Sequence, residues 1–189
     1  MLYMVELDFP HPSLLDEWHR WYTEHLHLLL SMPGVLSAQR FQSITPTASP
    51  FVAIYTITGA DVMTSAAYRA KAGPQSPGRW SELMTHWYRN VLEGLERAPG
   101  VAMSGWLAIM DRRTRTAPAL PDGFIALRPV ALDCSIVERG LMFGREESAP
   151  PVFREEQDSH FRVLKPLTPL LTPGAASSGA PNGASSEER

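Results

Sequence analysis

Apolar and polar positions along the 189-residue chain change period several times, and each change marks an expected element. LYMVELDF (2–9), apolar, β-forming and stopped by Pro10, predicts a first strand. After Pro12 the period lengthens to that of a helix, with Ser13 placed as its cap and Asp16 and Glu17 in its first turn; Pro33-Gly34 must end it. VLSAQRFQSI (35–44) and FVAIYTIT (51–58) read as strands two and three. A second helix is expected from Gly59 or Asp61 to about Lys71, broken by GPQSPG (73–78). Residues 79–97 fit two patterns. Trp80, Leu83, Met84, Trp87, Val91, Leu92 and Leu95 recur at helical spacing, whereas Val91, Glu93 and Leu95 alternate with Asn90, Leu92 and Gly94. Periodicity alone favours the helix.

Past Pro99 the pattern weakens. GWLAIMD (105–111), FIALRPVAL (124–132) and HFRVLKPL (160–167) read as strands. Asp133 or Ser135, beside Glu138-Arg139, reads as the cap of a short helix through ERGLMFG. The Pro-, Gly- and Ser-rich end, residues 168–189, is expected to be disordered because it buries too little to offset its ordering entropy.

On a wheel of residues 14–30, Leu14, Leu15, Trp18, Tyr22, His25, Leu26 and Leu29 share one face, with Trp21 at its edge. His25 and His27 diverge by about 200° and cannot hold one metal ion. His27 is expected in solvent, and His11 in a loop. His25 is the polar exception on the apolar face. It is either a core histidine bonded to a carbonyl or to Tyr22, or an acid–base group at the mouth of an apolar pocket.

Composition narrows the function classes. With 44% hydrophobic residues, 20% charged and a formal charge of −3, the chain is an ordinary globular protein without a general nucleic-acid surface. The single Cys134 rules out an internal disulfide and a multi-thiolate metal site; it reads as a small buried residue rather than a nucleophile. No apolar run approaches the ~18 residues of a membrane span and no signal peptide is evident, so a cytoplasmic protein is expected. No Gly-rich phosphate loop or His-Glu-x-x-His motif supports a nucleotide or zinc reading.

Strand, helix, strand, strand, helix and a further strand give a βαββαβ order, a ferredoxin-like α+β fold whose open sheet face must be covered. WYTEHLHLLLSMPGVLSAQRF resembles the helix-to-strand signature of the dimeric α/β-barrel superfamily, particularly EthD-like small proteins. The resemblance continues through FVAIYTITGADVMTSAAYRA and WSELMTHWYRN and covers residues 1–97. It implies a strand rather than a helix at 88–97, and a homodimer packed sheet against sheet. It also implies a small-molecule ligand between sheet and helices. Its members include cofactor-free monooxygenases, isomerases, cyclases and decarboxylases acting on aromatic or polyketide-like molecules, and haem-handling enzymes. Residues 98–167 are then an extension, either a second half-barrel or a lid. Many relatives carry a proline shortly after the helix histidine, where this chain has His27.

The resulting expectation is a cofactor-independent enzyme, with haem a minor alternative and no metal. His25 moves a proton, helped by Tyr22 or by His86 under the family packing. Trp18, Trp21 and Trp87 enclose the substrate, and Arg40 binds a carboxylate or enolate oxygen. The alternative is a non-catalytic ligand-binding or assembly protein with His25 structural.

Overall fold

The computed structural model describes residues 1–73, 76–153 and 158–174. Its strands are β1 (Leu2–Asp8), β2 (Val35–Ser43), β3 (Phe51–Ile57), β4 (Thr85–Glu93), β5 (Trp106–Arg112), β6 (Ile125–Leu132), β7 (Glu138–Gly144) and β8 (Ser159–Pro166). The helices are α1 (Leu15–Leu30), α2 (Ala66–Lys71) and the single turn α3 (Trp80–Leu83). All strand pairs are antiparallel and close into one barrel, in the order β1-β3-β2-β8-β5-β7-β6-β4.

This corrects the expected fold. A ferredoxin-like dimeric α/β barrel leaves a four-stranded sheet to be completed by a second subunit. Here both free edges of the first four strands are taken by the same chain, β2 by β8 and β4 by β6. Each half contributes four strands in the same relative order, β4-β1-β3-β2 and β8-β5-β7-β6. The barrel therefore closes within one protomer, and the reason for expecting a homodimer disappears. The second half is strand-rich because its inward positions alternate: Leu107, Ile109 and Asp111 on β5, then Arg139 and Leu141 on β7, are buried. The expected helix through ERGLMFG is β7, and Asp133 lies in the turn before it, accepting a bond from the Arg89 backbone N–H at 2.6 Å.

Alternation along each strand builds two large cores, one inside the barrel and one under α1, beside a small cluster of Trp106, Ala108 and Val163. Leu2, Met4, Phe41, Val52, Ile54 and Leu92 point inward and meet Leu107, Ile109, Leu127, Leu141 and Leu164 from the second half. An eight-stranded barrel is just wide enough to be filled by side chains, so this interior is packed rather than a channel. Tyr3, Val5, Leu7, Ala53, Tyr55 and Val91 point outward, under α1. Trp18, Tyr22, Leu26, Leu29 and Leu30 of α1 are buried against them.

Local signals hold with small shifts. Pro12–Leu14 forms a 3-10 turn ahead of α1, and Leu14 rather than Ser13 takes the cap position, with no side-chain cap bond. Gly34 adopts φ +88° in the turn that ends the helix, where a Cβ would run into Val62 and Thr58. Strand β4 overrides the helical periodicity of 85–93, because Arg89 and Val91 face α1 while Asn90 and Leu92 face the barrel interior. Cys134 is exposed, not buried. Part of the expected tail is ordered against the barrel: Ala38 and Leu171 exchange backbone bonds of 2.9 and 2.8 Å. The remainder of that expected tail, from residue 175, lies outside the described residues. No helix among the described residues is long and apolar enough to cross a membrane.

Candidate active site

Between α1 and the outward face of β1, β3 and β4 lies a narrow cleft rich in phenols. Tyr3, Tyr55, Tyr22 and Tyr68 line it, from two strands and two helices, together with His25 and Arg89. Trp21, Met84 and Trp87 contribute apolar wall. The arrangement follows from register. Tyr3 pairs across strands with Tyr55, their rings stacked at 5.4 Å, and Val5 pairs with Arg89 on the other side. Tyr68 is positioned by α2, whose Ser65 cap accepts from the Tyr68 backbone N–H at 3.1 Å. Its hydroxyl lies 3.5 Å from that of Tyr3.

His25 stands over this cleft, one helical turn from Tyr22 and Leu29. Its ring stacks on Trp21 at 5.2 Å and meets Tyr22 edge-on at 6.0 Å. It has no hydrogen-bond partner among the described residues, so it is not the carbonyl-bonded core histidine of the structural alternative. Burial, reinforced by the positive charge of Arg40, lowers its pKa to about 4. The imidazole is neutral near pH 7. Burial raises the phenols in turn, Tyr22 to about 12 and Tyr3 and Tyr55 well above the ordinary tyrosine value. The cleft thus holds one uncharged nitrogen base facing several uncharged O–H donors. Its free volume is about 20 Å³, room for a water molecule, so an aromatic guest enters only by displacing wall side chains.

The remaining expected site residues separate into distinct environments. Trp21 and Trp87 line the cleft. Trp18 does not: it is fully buried, stacked on Phe9 at 4.7 Å, and belongs to the core. Arg40 is also buried, behind Tyr22. Its guanidinium contacts the Tyr22 and Trp18 rings and the Nδ1 of His19, at 3.2 Å, instead of the cleft. The cation that reaches the cleft is Arg89, which forms no side-chain ion pair among the described residues. His86 is exposed, at φ +49°, and accepts a bond from the Ser49 hydroxyl through its carbonyl. It does not line the cleft with His25. His27 is half-buried in the last turn of α1, and His11 packs edge-on against Phe9.

Sequence reasoning missed a second polar assembly, inside the barrel. Glu6 (β1), Asp111 (β5), Arg139 (β7) and Arg162 (β8) are all at most 5% exposed. Arg139 holds Asp111 through two bonds of 2.6 and 2.8 Å and also pairs with Glu6. Arg162 pairs with Glu6, lies 3.5 Å from Asp111 and donates to the Ser49 carbonyl at 3.2 Å. Burial pushes the Glu6 carboxyl up, but Arg139 and Arg162 together outweigh it and bring the group down to about 2. The available signal was Glu6 itself, the only charge amid LYMVEL; its partners come from the other half of the chain, 105 to 156 positions away or nearer to one another, and no local pattern connects them.

No family model matches the chain, and no curated protein matches it significantly. The EthD-like assignment therefore gains no support from these comparisons. A solved structure described as an anthrone oxidase-like protein shares the fold, with a TM-score of 0.53 over 92% of this chain and 93% of that one. Sequence identity between them is 8%.

Proposed function

We propose that the protein is a cofactor-independent enzyme acting on a small aromatic or polyketide-like molecule, with His25 as the base that removes a proton from it. The observation that carries this reading is a neutral imidazole with no hydrogen-bond partner among the described residues, over a cleft lined by four phenols and a guanidinium that forms no ion pair among those residues. The name of the structural neighbour, an anthrone oxidase-like protein, points to the same substrate class.

A base with a pKa near 4 is always unprotonated at neutral pH but is intrinsically weak. It suits a substrate whose C–H is acidified by an adjacent carbonyl. Tyrosine hydroxyls, with Arg89, supply donors to the enolate oxygen as charge develops there. The substrate anion then offsets the desolvation that disfavours the imidazolium, raising the His25 pKa during the reaction. If oxygenation follows, the carbanion reduces O2. For an anthrone, the methylene loses two hydrogens, one oxygen atom stays as the new carbonyl, and the other leaves as water. Isomerisation or decarboxylation would use the same donors.

The test is oxygen uptake and product formation with anthrone and related hydroxyaromatic ketones. His25→Gln is expected to lose at least about 100-fold in kcat, with an unchanged melting temperature, and Tyr22→Phe to lose less. Unchanged turnover in His25→Gln rejects the role. The narrow free volume favours one second reading, a non-catalytic binding protein; saturable binding of these compounds with no turnover by wild type would select it. A Soret band on haem titration would replace the cofactor-free reading.

A further inference from the structure

The four-charge cluster is the floor of a larger cavity, separate from the α1 cleft. It opens at one end of the barrel and has a volume of about 620 Å³, within the usual range for small-molecule sites. Its floor is Glu6, Asp111, Arg139 and Arg162; its rim includes Tyr88 and Arg113. The rest of the barrel interior is filled mainly with apolar, uncharged side chains. Apolar residues of similar size would complete that core without the cost of burying four charges. Charge is retained in the layer that faces the opening.

The charge balance selects the ligand. Both carboxylates are engaged by the two buried arginines, so a cationic ligand finds no free acid. Arg113 is exposed on the rim, with no ion-pair partner for its side chain among the described residues, and gives the lining three guanidiniums against two carboxylates. Tyr88, 43% exposed, adds a hydroxyl donor. Pro46, Ala48 and Ile136 supply apolar wall between these groups. The paired carboxylates also fix the floor guanidiniums in place before any ligand arrives.

We propose that this barrel mouth is a second binding site, for a small carboxylate attached to a compact apolar or aromatic body. Arg113 supplies the charge-assisted hydrogen bonds, Tyr88 a further donor, and the apolar wall the discrimination against simple inorganic anions.

Benzoate and inorganic phosphate are the probes, titrated calorimetrically into the full chain at constant ionic strength. Benzoate is expected to bind saturably, with a Kd below about 1 mM. Arg113→Glu, at an exposed position, should weaken it at least about tenfold while leaving the ligand-free melting temperature unchanged. Ser135→Trp, which narrows the mouth without touching a charge, should weaken it as well. His25→Gln should bind benzoate as wild type does, which separates this site from the α1 cleft. The proposal is overturned if benzoate does not saturate, if both mouth variants bind as wild type, if His25→Gln loses binding, or if phosphate binds as tightly as benzoate.

Discussion

The guanidinium carbon of Arg40 lies 4.0 Å from the centre of the Tyr22 ring, and no carboxylate among the described residues pairs with it. With Trp18 at 4.9 Å on the same group, an aromatic pair takes the place of a counter-ion. Burial lowers the Arg40 pKa to about 10, so the charge persists at neutral pH beneath the helix that carries His25. Replacement by lysine keeps the charge but loses the planar stack and the bond to His19. Arg40→Lys is expected to cost about 1–2 kcal/mol, seen as a lower melting temperature. Arg40→Met should in addition raise the His25 midpoint, because a charge that disfavours the imidazolium is gone. An unchanged His25 titration in Arg40→Met would separate the two residues.

His25 gives a pH prediction of its own. Its folded pKa, about 4, lies below the ordinary value of 6.5, so the unfolded chain binds the extra proton more readily. The stabilisation is complete above about pH 6.5 and falls away as pH drops towards 4. NMR of the ring protons should show a midpoint near 4, and the acid limb of kcat/KM should follow it in the free enzyme. A midpoint at the ordinary histidine value would mean that the ring sits in solvent and would remove the proposed base.

How much of this was readable beforehand depended on distance along the chain. Tyr22, His25 and Trp21 share a helix, and helical spacing alone places them near one another. Tyr55 and Arg89 join them only through the registers Tyr3–Tyr55 and Val5–Arg89, which no local pattern specifies. Strand alternation gives the face of Arg40 but not its depth, and Tyr22 and Trp18 cover it. Closure of the barrel escapes local patterns for the same reason. The first half reads as an open sheet, and the strands that close it, β6 and β8, are legible as strands without any sign of which edges they join. Their pairing with β4 and β2 is a long-range event.

The buried charge cluster makes the barrel sensitive to acid. Glu6 has a folded pKa of about 2 against an ordinary 4.5, so its contribution to stability is present above about pH 4.5 and is lost as pH falls through 2. Acid unfolding followed by circular dichroism should begin in that window. Glu6→Gln leaves Arg139 and Arg162 sharing only Asp111, and removing one member of a buried pair costs about 3–5 kcal/mol. The variant should show a correspondingly lower urea midpoint at pH 7 and a flatter dependence of stability on pH below 4.5. An acid profile as steep as that of wild type would mean that other carboxyls carry the transition.

Trp18 and Trp21 lie three positions apart on α1 and face different fates. Trp18 is wholly buried between Phe9 and Phe51, with ring centres at 4.7 and 4.8 Å. Replacing it with alanine opens a core cavity and should cost about 3–5 kcal/mol. Trp21 is half-buried at the cleft wall, stacked on His25. Trp21→Ala should therefore change stability far less, while enlarging the cleft and exposing the imidazole to water. The expected signature is a His25 midpoint shifted upward from about 4 and a changed affinity for aromatic ligands, with near-normal unfolding. Equal destabilisation by the two substitutions would make Trp21 a core residue and leave the cleft without a movable wall.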